Sequence, residues 1–343
     1  MRKLLNTLFI TSPDAYLSLD GGNIEIRVNK QVLGKVPLLN LEGIVTFGRA
    51  GASPALMNEC MKSLIPITFL SPSGSLMGRV IGVTNGNVVL RKKQYQVSEN
   101  NQESSLIARN FIIGKIYNQR WMLERATRDH ALVIDAQQFK LVSNQLQEVI
   151  QKLLSVEDID MIRGIEGNAA TQYYGLFDQL ILQQKKEFQF HGRNRRPPLD
   201  KVNALLSFAY TLLAHDVSAA LETVGLDSYV GFMHQDRPGR MSLALDLMEE
   251  LRGVYADRFV LRLINKKIVN AKDFQKKENG AVLLHEDGRK RFIEEWQQRK
   301  QDKIVHPYLN EKISWGLVPY TQAMLLARFL RGDLDEYPPF LWK

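Results

Sequence analysis

The hydrophobic periodicity of this chain changes near residue 91, and that change limits its fold more than any other feature. Before it, apolar residues alternate, as in Ala15, Leu17 and Leu19 and again in Ile24, Ile26 and Val28. A period of two belongs to half-buried strands. Asp20-Gly21-Gly22-Asn23 between these runs predicts a tight hairpin, because its glycines accept positive φ. Further strands are predicted over 31–36, 43–47, 65–70 and 76–83. One helix is predicted from 53 to 62, with Ser53 as N-cap and Pro54 in the first helical position. From Leu106 to about Leu330 the apolar spacing is three and four, as in Ile107, Phe111 and Ile112. The expected fold is α+β with two domains: a small β-rich N-terminal domain over 1–92, a polar linker over 93–105, and a larger all-α domain over 106–343.

The chain carries 45 Lys+Arg against 37 Asp+Glu, a net charge of +8. That balance suits a polyanionic partner, nucleic acid ahead of an anionic membrane. No apolar run approaches the roughly 18–20 residues that span a bilayer, so no membrane partner is expected. Polar Asn6, Thr7, Thr11 and Ser12 interrupt the start too early for a signal peptide. Cys60 is the single cysteine, which excludes an intrachain disulfide and a multi-cysteine zinc site and fits a cytoplasmic location. A phosphate-binding G-x-x-x-x-G-K-[ST] loop, an H-E-x-x-H helix and a G-x-S-x-G elbow are all missing. Nucleotide hydrolysis, zinc proteolysis and serine-esterase chemistry are thereby disfavoured.

Three anomalies carry chemistry. On a helix at about 100° per residue, Ile159, Ile162, Ala169, Ala170, Tyr173 and Phe177 point within about 60° of Glu166. A carboxylate at the centre of an apolar stripe needs a cation, either a metal or a side chain such as that of Arg163. Gly167 beside it weakens the helix, which predicts a close approach to its backbone. His234 lies in a loop, Gly231 to Arg240, between apolar residues and a charged turn; a lone histidine there is more often packed or solvated than a ligand. Asp246 and Glu249 share a face of the next helix, whose Leu243, Leu247 and Leu251 face a core; alone, the two acids would read as a solvated face. Taken together, carboxylates and an imidazole without thiolate make a hard site suited to Mg²⁺ or Mn²⁺. Basic clusters are present for a phosphodiester: Arg193, Arg195 and Arg196; Arg258, Arg262, Lys266 and Lys267 with Lys272, Lys276 and Lys277; and Arg289, Lys290 and Arg291.

Five ordered stretches carry a resemblance that spans the chain. They are Arg163 to Ala170 (RGIEGNAA), Arg195 to Phe208 (RRPPLDKVNALLSF), Gly225 to Asp227, Val230 to His234 (VGFMH) and Ser242 to Glu250 (SLALDLMEE). In order and spacing they resemble CRISPR-associated protein 1, the integrase that inserts foreign DNA fragments into CRISPR arrays, with the C-terminal half closest to the type I-C branch. Carried over by position, the resemblance implies metal ligands at Glu166, His234 and Glu249, with glutamate at the last position where many members have aspartate. Asp246 matches a nearby assisting acid. The resemblance also implies that the helical domain is catalytic, that the β domains form a homodimer, and that two such dimers flank a dimer of CRISPR-associated protein 2. The expected activity is that of a metal-dependent DNA endonuclease and integrase on double-stranded and branched DNA, by attack of a 3′-hydroxyl on a phosphodiester. Two rivals predict otherwise. A non-catalytic DNA-binding scaffold would bind DNA regardless of Mg²⁺, and a small-phosphoester hydrolase would ignore DNA structure.

Overall fold

The computed structural model describes residues 7–48, 51–71, 76–82, 88–195 and 197–343. Strand β1 (Thr7–Ile10) is one that the alternation did not signal, since its four residues are too few to show a period. It pairs in parallel with the strand over Gly43–Phe47. Strands β2 (Tyr16–Asp20), β3 (Asn23–Val28) and β4 (Gln31–Pro37) form an antiparallel meander. Its first turn joins Asp20 to Asn23 through Gly21 and Gly22, both at positive φ (53° and 81°), as a two-residue hairpin requires. Then follow β5 (Gly43–Phe47), helix α1 (Pro54–Lys62), β6 (Ile67–Leu70) and β7 (Leu76–Val80). These strands form a second, mixed sheet in the order β1-β5-β6-β7. Ser53 caps α1 by accepting from the Leu56 amide at 3.2 Å. Leu17, Ile24, Ile44, Leu56, Cys60 and Ile67 are fully buried among the elements of this region.

Residues 93–105 are not a linker: they are helical on both sides of Asn100. Helix α2 (Val88–Glu99) turns Leu90, Gln94 and Val97 inward and its polar residues to solvent. Buried Gln94 is satisfied by the carbonyls of Asp227 (2.8 Å) and Val230 (2.9 Å), which is why polar composition misread the segment. Asn100 caps the 30-residue helix α3 (Asn101–His130), accepting from the amides of Gln102 and Glu103. Helices α4 (Ala136–Leu153), α5 (Ile159–Phe177) and α6 (Lys201–Thr223) follow. Then come α7 (Ser242–Leu247), the single turn α8 (Glu249–Leu251), a π-helical stretch (Arg252–Asp257) and α9 (Arg258–Asn265). Strands β8 (Phe274–Lys276) and β9 (Val282–Leu284) precede α10 (Glu286–Gln301). Strands β10 (Lys303–Val305) and β11 (Lys312–Ser314) precede α11 (Val318–Leu330). The C-terminal part is therefore not all-α: it contains two two-stranded ribbons, too short to register as alternating runs.

The chain divides into two compact units. One takes residues 1–85 together with 283–302 and 314–317, so it includes α10 from far along the chain. There Arg289 stacks over the Phe47 ring at 5.3 Å, and Phe292 stacks with Trp296. The other takes 86–282, 303–313 and 318–343. Helix α6, in the second unit, corrects the expectation of no long apolar run. Over an 18-residue window its mean hydropathy is 1.4, enough by length and composition to cross a membrane. That window is 72% buried within the protein, the position of a core helix.

Candidate active site

Lys115, on the buried face of α3 between Ile112 and Ile116, is the centre of the site. Its side chain is 3% exposed, and its ammonium is bonded to Glu166 Oε1 and lies 2.8 Å from Glu249 Oε2. Glu166 comes from α5, whose N-cap Asp158 accepts from the Met161 amide at 2.7 Å. Glu249 opens α8 with its side chain 3% exposed, and Arg252 at the start of the π-helix holds its other oxygen at 3.0 Å. Three helical segments thus place two carboxylates on one cation. Burial alone would raise the Glu249 carboxyl, but Arg252, Lys115 and His234 outweigh it and hold it down to about 2. Arg163 is not the partner of Glu166: its guanidinium is spent on the Met233 carbonyl and Asp160. Among the described residues nothing lies within 4 Å of where a Gly167 Cβ would stand, so none of them makes the expected close approach there.

His234 is aimed by Asp246. The Asp246 carboxylate is fully buried and accepts from the amides of Phe232 (2.7 Å), Met233 (2.9 Å) and His234 (3.0 Å). His234 Nδ1 lies 2.5 Å from the same group. A carboxylate only accepts, so Nδ1 carries a proton and the other ring nitrogen, Nε2, is left for a further partner. Gly231 is needed for this wrap: a Cβ there would stand 2.8 Å from Asp246 Oδ2 and 2.8 Å from the Ser242 Cβ. The side chain of His234 is 20% exposed and lines a cleft of about 340 Å³ with Glu157, Asp160, Arg163 and Asp236.

Behind the carboxylates lies a buried network. Asp257, the last π-helical residue, accepts from Tyr173 (3.1 Å) and from Tyr210, and the Tyr210 and Tyr174 hydroxyls meet at 2.6 Å. Burial raises the Asp257 carboxyl to about 6 despite these donors and two nearby arginines. Arg252 and Arg193 stack over the Tyr210 ring at 5.0 and 5.2 Å. Next to Glu249, the Glu250 side chain turns to the C-terminal segment, accepting from Tyr337 (2.5 Å), Gln322 (2.9 Å) and the Phe340 amide (2.7 Å).

The basic residues divide by environment. Arg193 is bonded to Asn203 (2.5 Å), the Asn194 carbonyl (2.6 Å) and Ser207 (3.1 Å), which commits its guanidinium to the protein interior. Arg195, Lys266 and Lys267 are exposed, and Arg262 is half-buried. Arg258 stacks on Trp342 at 4.8 Å. Arg196 lies outside the described residues. Sequence reasoning missed Lys115 and Arg252. A lysine in register with Phe111, Ile112 and Ile116 carries the same signal that drew attention to Glu166.

Two carboxylates that share one cation, beside an imidazole with a free Nε2, form a donor set whose chemistry fits a divalent ion. Among the described residues, however, no three His, Cys, Asp or Glu side chains stand close enough together to hold one ion as placed. The ammonium of Lys115 lies where the two carboxylates converge.

A basic chain with hard donors gathered in its helical unit has the makings of a phosphodiester-processing enzyme. A family profile described as CRISPR associated protein Cas1 matches residues 8–298. The chain belongs to that family and is an endonuclease of the Cas1 type. It is 47% identical to the CRISPR-associated endonuclease Cas1 1 of Chlorobaculum tepidum over 343 residues, all of both chains. Its fold is similar to that of a casposase bound to integration product (TM-score 0.83, 24% identity, 98% of this chain and 93% of that one). It is also similar to a Cas6-RT-Cas1–Cas2 complex chain (TM-score 0.84, 22% identity, all of this chain and 36% of that one).

Proposed function

We propose that the chain integrates DNA fragments into a CRISPR array, with Glu166, His234 and Glu249 holding a divalent ion, Mg²⁺ or Mn²⁺. The observation that carries this reading is the convergence of Glu166 and Glu249 on one cation beside an imidazole oriented by Asp246. When bound, the ion would supply Lewis-acid stabilisation of charge on the reacting phosphate. The chain's own groups do the rest. Asp246 fixes the His234 tautomer so that Nε2 faces outward, and Arg252 keeps Glu249 ionised and in place. Arg195, Lys266 and Lys267, which are exposed, and half-buried Arg262 would contact backbone phosphates, which positions DNA without reading its sequence. In the reaction the 3′-hydroxyl oxygen of the incoming fragment bonds to phosphorus, the bridging P–O bond of the target strand breaks, and the leaving strand departs with a new 3′-hydroxyl. With water as nucleophile the same displacement is cutting.

The solved neighbours support the partners in this reading: the casposase is bound to integration product, and the complex contains Cas2. A homodimer formed through the β-rich units, a Cas2 dimer between two such dimers, cytoplasmic residence and membership of the type I-C branch complete the proposal. The test is strand transfer and disintegration of branched DNA by the wild type and by Glu166→Ala, His234→Ala and Glu249→Ala, with Mg²⁺, Mn²⁺ or EDTA. Folding of each variant is checked by circular dichroism. Metal-dependent wild-type activity, lost in folded variants that still bind DNA, is the expected result. Activity in EDTA, or variants as active as the wild type, would remove the site assignment and leave the acids structural.

A further inference from the structure

The two carboxylates that converge at the site are matched by two cations before any divalent ion arrives. Glu166 and Glu249 supply two formal negative charges, and Lys115 and Arg252 supply two positive ones. Lys115 is buried, sits on the oxygens that a divalent ion would use, and reaches them on a flexible four-carbon stem. Arg252 is different: it stacks on Tyr210 and meets the Glu249 oxygen other than the one beside Lys115. Of the two cations, only Lys115 competes for the shared point.

We infer that Lys115 is a resident counter-cation that a divalent ion must displace from Glu166 and Glu249, so that the ion loads well only when DNA supplies further negative charge. This rests on the metal-site reading proposed above. A carboxylate pair without the ammonium would attract a divalent ion strongly in a partly dehydrated pocket, and would repel itself when empty. With the ammonium in place the four groups sum to no net charge, and the attraction that remains is local and weak. A phosphate of bound DNA tips the balance, both by attracting the ion and by offering the ammonium another anion. The ion is then taken up mainly on the substrate complex.

The test is Mn²⁺ binding to the full-length, metal-stripped protein, measured by the electron paramagnetic resonance signal of free Mn²⁺, with and without a branched DNA duplex. Lys115→Met is expected to bind Mn²⁺ at least about tenfold more tightly than wild type when DNA is absent, as removal of one close charge implies. DNA should tighten Mn²⁺ binding in wild type and do so much less in Lys115→Met. A folded Lys115→Met that binds Mn²⁺ no more tightly than wild type overturns the inference. If Lys115→Met does not fold, Lys115→Arg decides: a guanidinium bidentate on the two acids should weaken Mn²⁺ binding, and unchanged or tighter binding is the overturning result. Glu166→Ala separates the two readings. If wild type binds Mn²⁺ and Glu166→Ala does not, while Lys115→Met is unchanged, the metal site stands and the counter-cation role falls. If neither wild type nor Lys115→Met binds Mn²⁺, even on DNA, both fall.

Discussion

Asp246 holds His234 through four contacts at once: three consecutive backbone amides, the last that of His234 itself, and the imidazole Nδ1 at 2.5 Å. The loop that presents the histidine is therefore built around a single buried carboxylate.

Asp246→Asn keeps the size of the side chain but replaces one acceptor oxygen with a donor. Around it are three backbone amides that can only donate and a ring nitrogen that would have to switch tautomer to accept. Strand-transfer activity is expected to fall about 10–100-fold, the usual cost of losing a partner that orients a site histidine. The thermal midpoint should also drop, because a buried donor left unpaired costs about 1–3 kcal/mol. Activity within twofold of wild type would show that Asp246 does not aim the ring.

Gly231→Ala tests the same loop by steric means. Its Cβ would meet Asp246 Oδ2 and the Ser242 Cβ at 2.8 Å and the Ser242 carbonyl carbon at 3.0 Å, where backbone cannot yield cheaply. A loss of about 1–3 kcal/mol of stability is expected, seen as a lower thermal midpoint, together with reduced activity. Full activity at an unchanged midpoint would contradict the fit described here.

Adjacent Glu249 and Glu250 shift in opposite directions, to about 2 and about 7. Burial raises Glu250, and Tyr337, the Phe340 amide and Gln322 only partly offset it. The unfolded chain loses this proton near pH 4.5 and the folded chain near 7, so the Glu250 contribution to stability falls as pH rises through that window. Glu249 acts the other way: its stabilisation is present above about pH 4.5 and is lost as pH falls towards 2. The midpoint difference between wild type and Glu250→Gln, followed from pH 4.5 to 7, should move in favour of the variant. A constant difference would place the Glu250 titration outside that range.

The two neighbouring arginines separate DNA contact from architecture. Arg195→Ala should weaken DNA binding and reduce the slope of log affinity against log salt by about one, with little change in stability. Arg193→Ala should lower the thermal midpoint instead, since it removes stacking on Tyr210 and the bond to Asn203. A titration of fluorescent duplex across salt concentrations, paired with melting curves, tells them apart.

Much of this was legible in residue order. The alternation up to Val28 and the Gly21-Gly22 turn specified the meander, and the apolar surroundings of Glu166 marked a carboxylate in need of a cation. What stayed hidden had a common cause. Gln94 and Ser104 are polar residues whose partners lie inside the fold, so the composition of 93–105 read as a linker. The partner of Glu166 lies 51 positions away on another helix, which no local spacing can show. The π-helical stretch after Glu249 likewise has no signature in spacing, and the partners of its last residue, Asp257, are Tyr173 and Tyr210 on other helices.

Glu250 also has a consequence for how the molecule is made. Its carboxylate is paired by Gln322, Tyr337 and Phe340, and the Asn118 side chain ties the Glu250 and Phe340 carbonyls at 2.7 Å each. Until residue 340 has left the ribosome, the turn that bears Glu249 has a buried acid with nothing to receive it. The nascent protein can therefore build its helices early, but it closes the turn that bears Glu249 only after residue 340 has emerged.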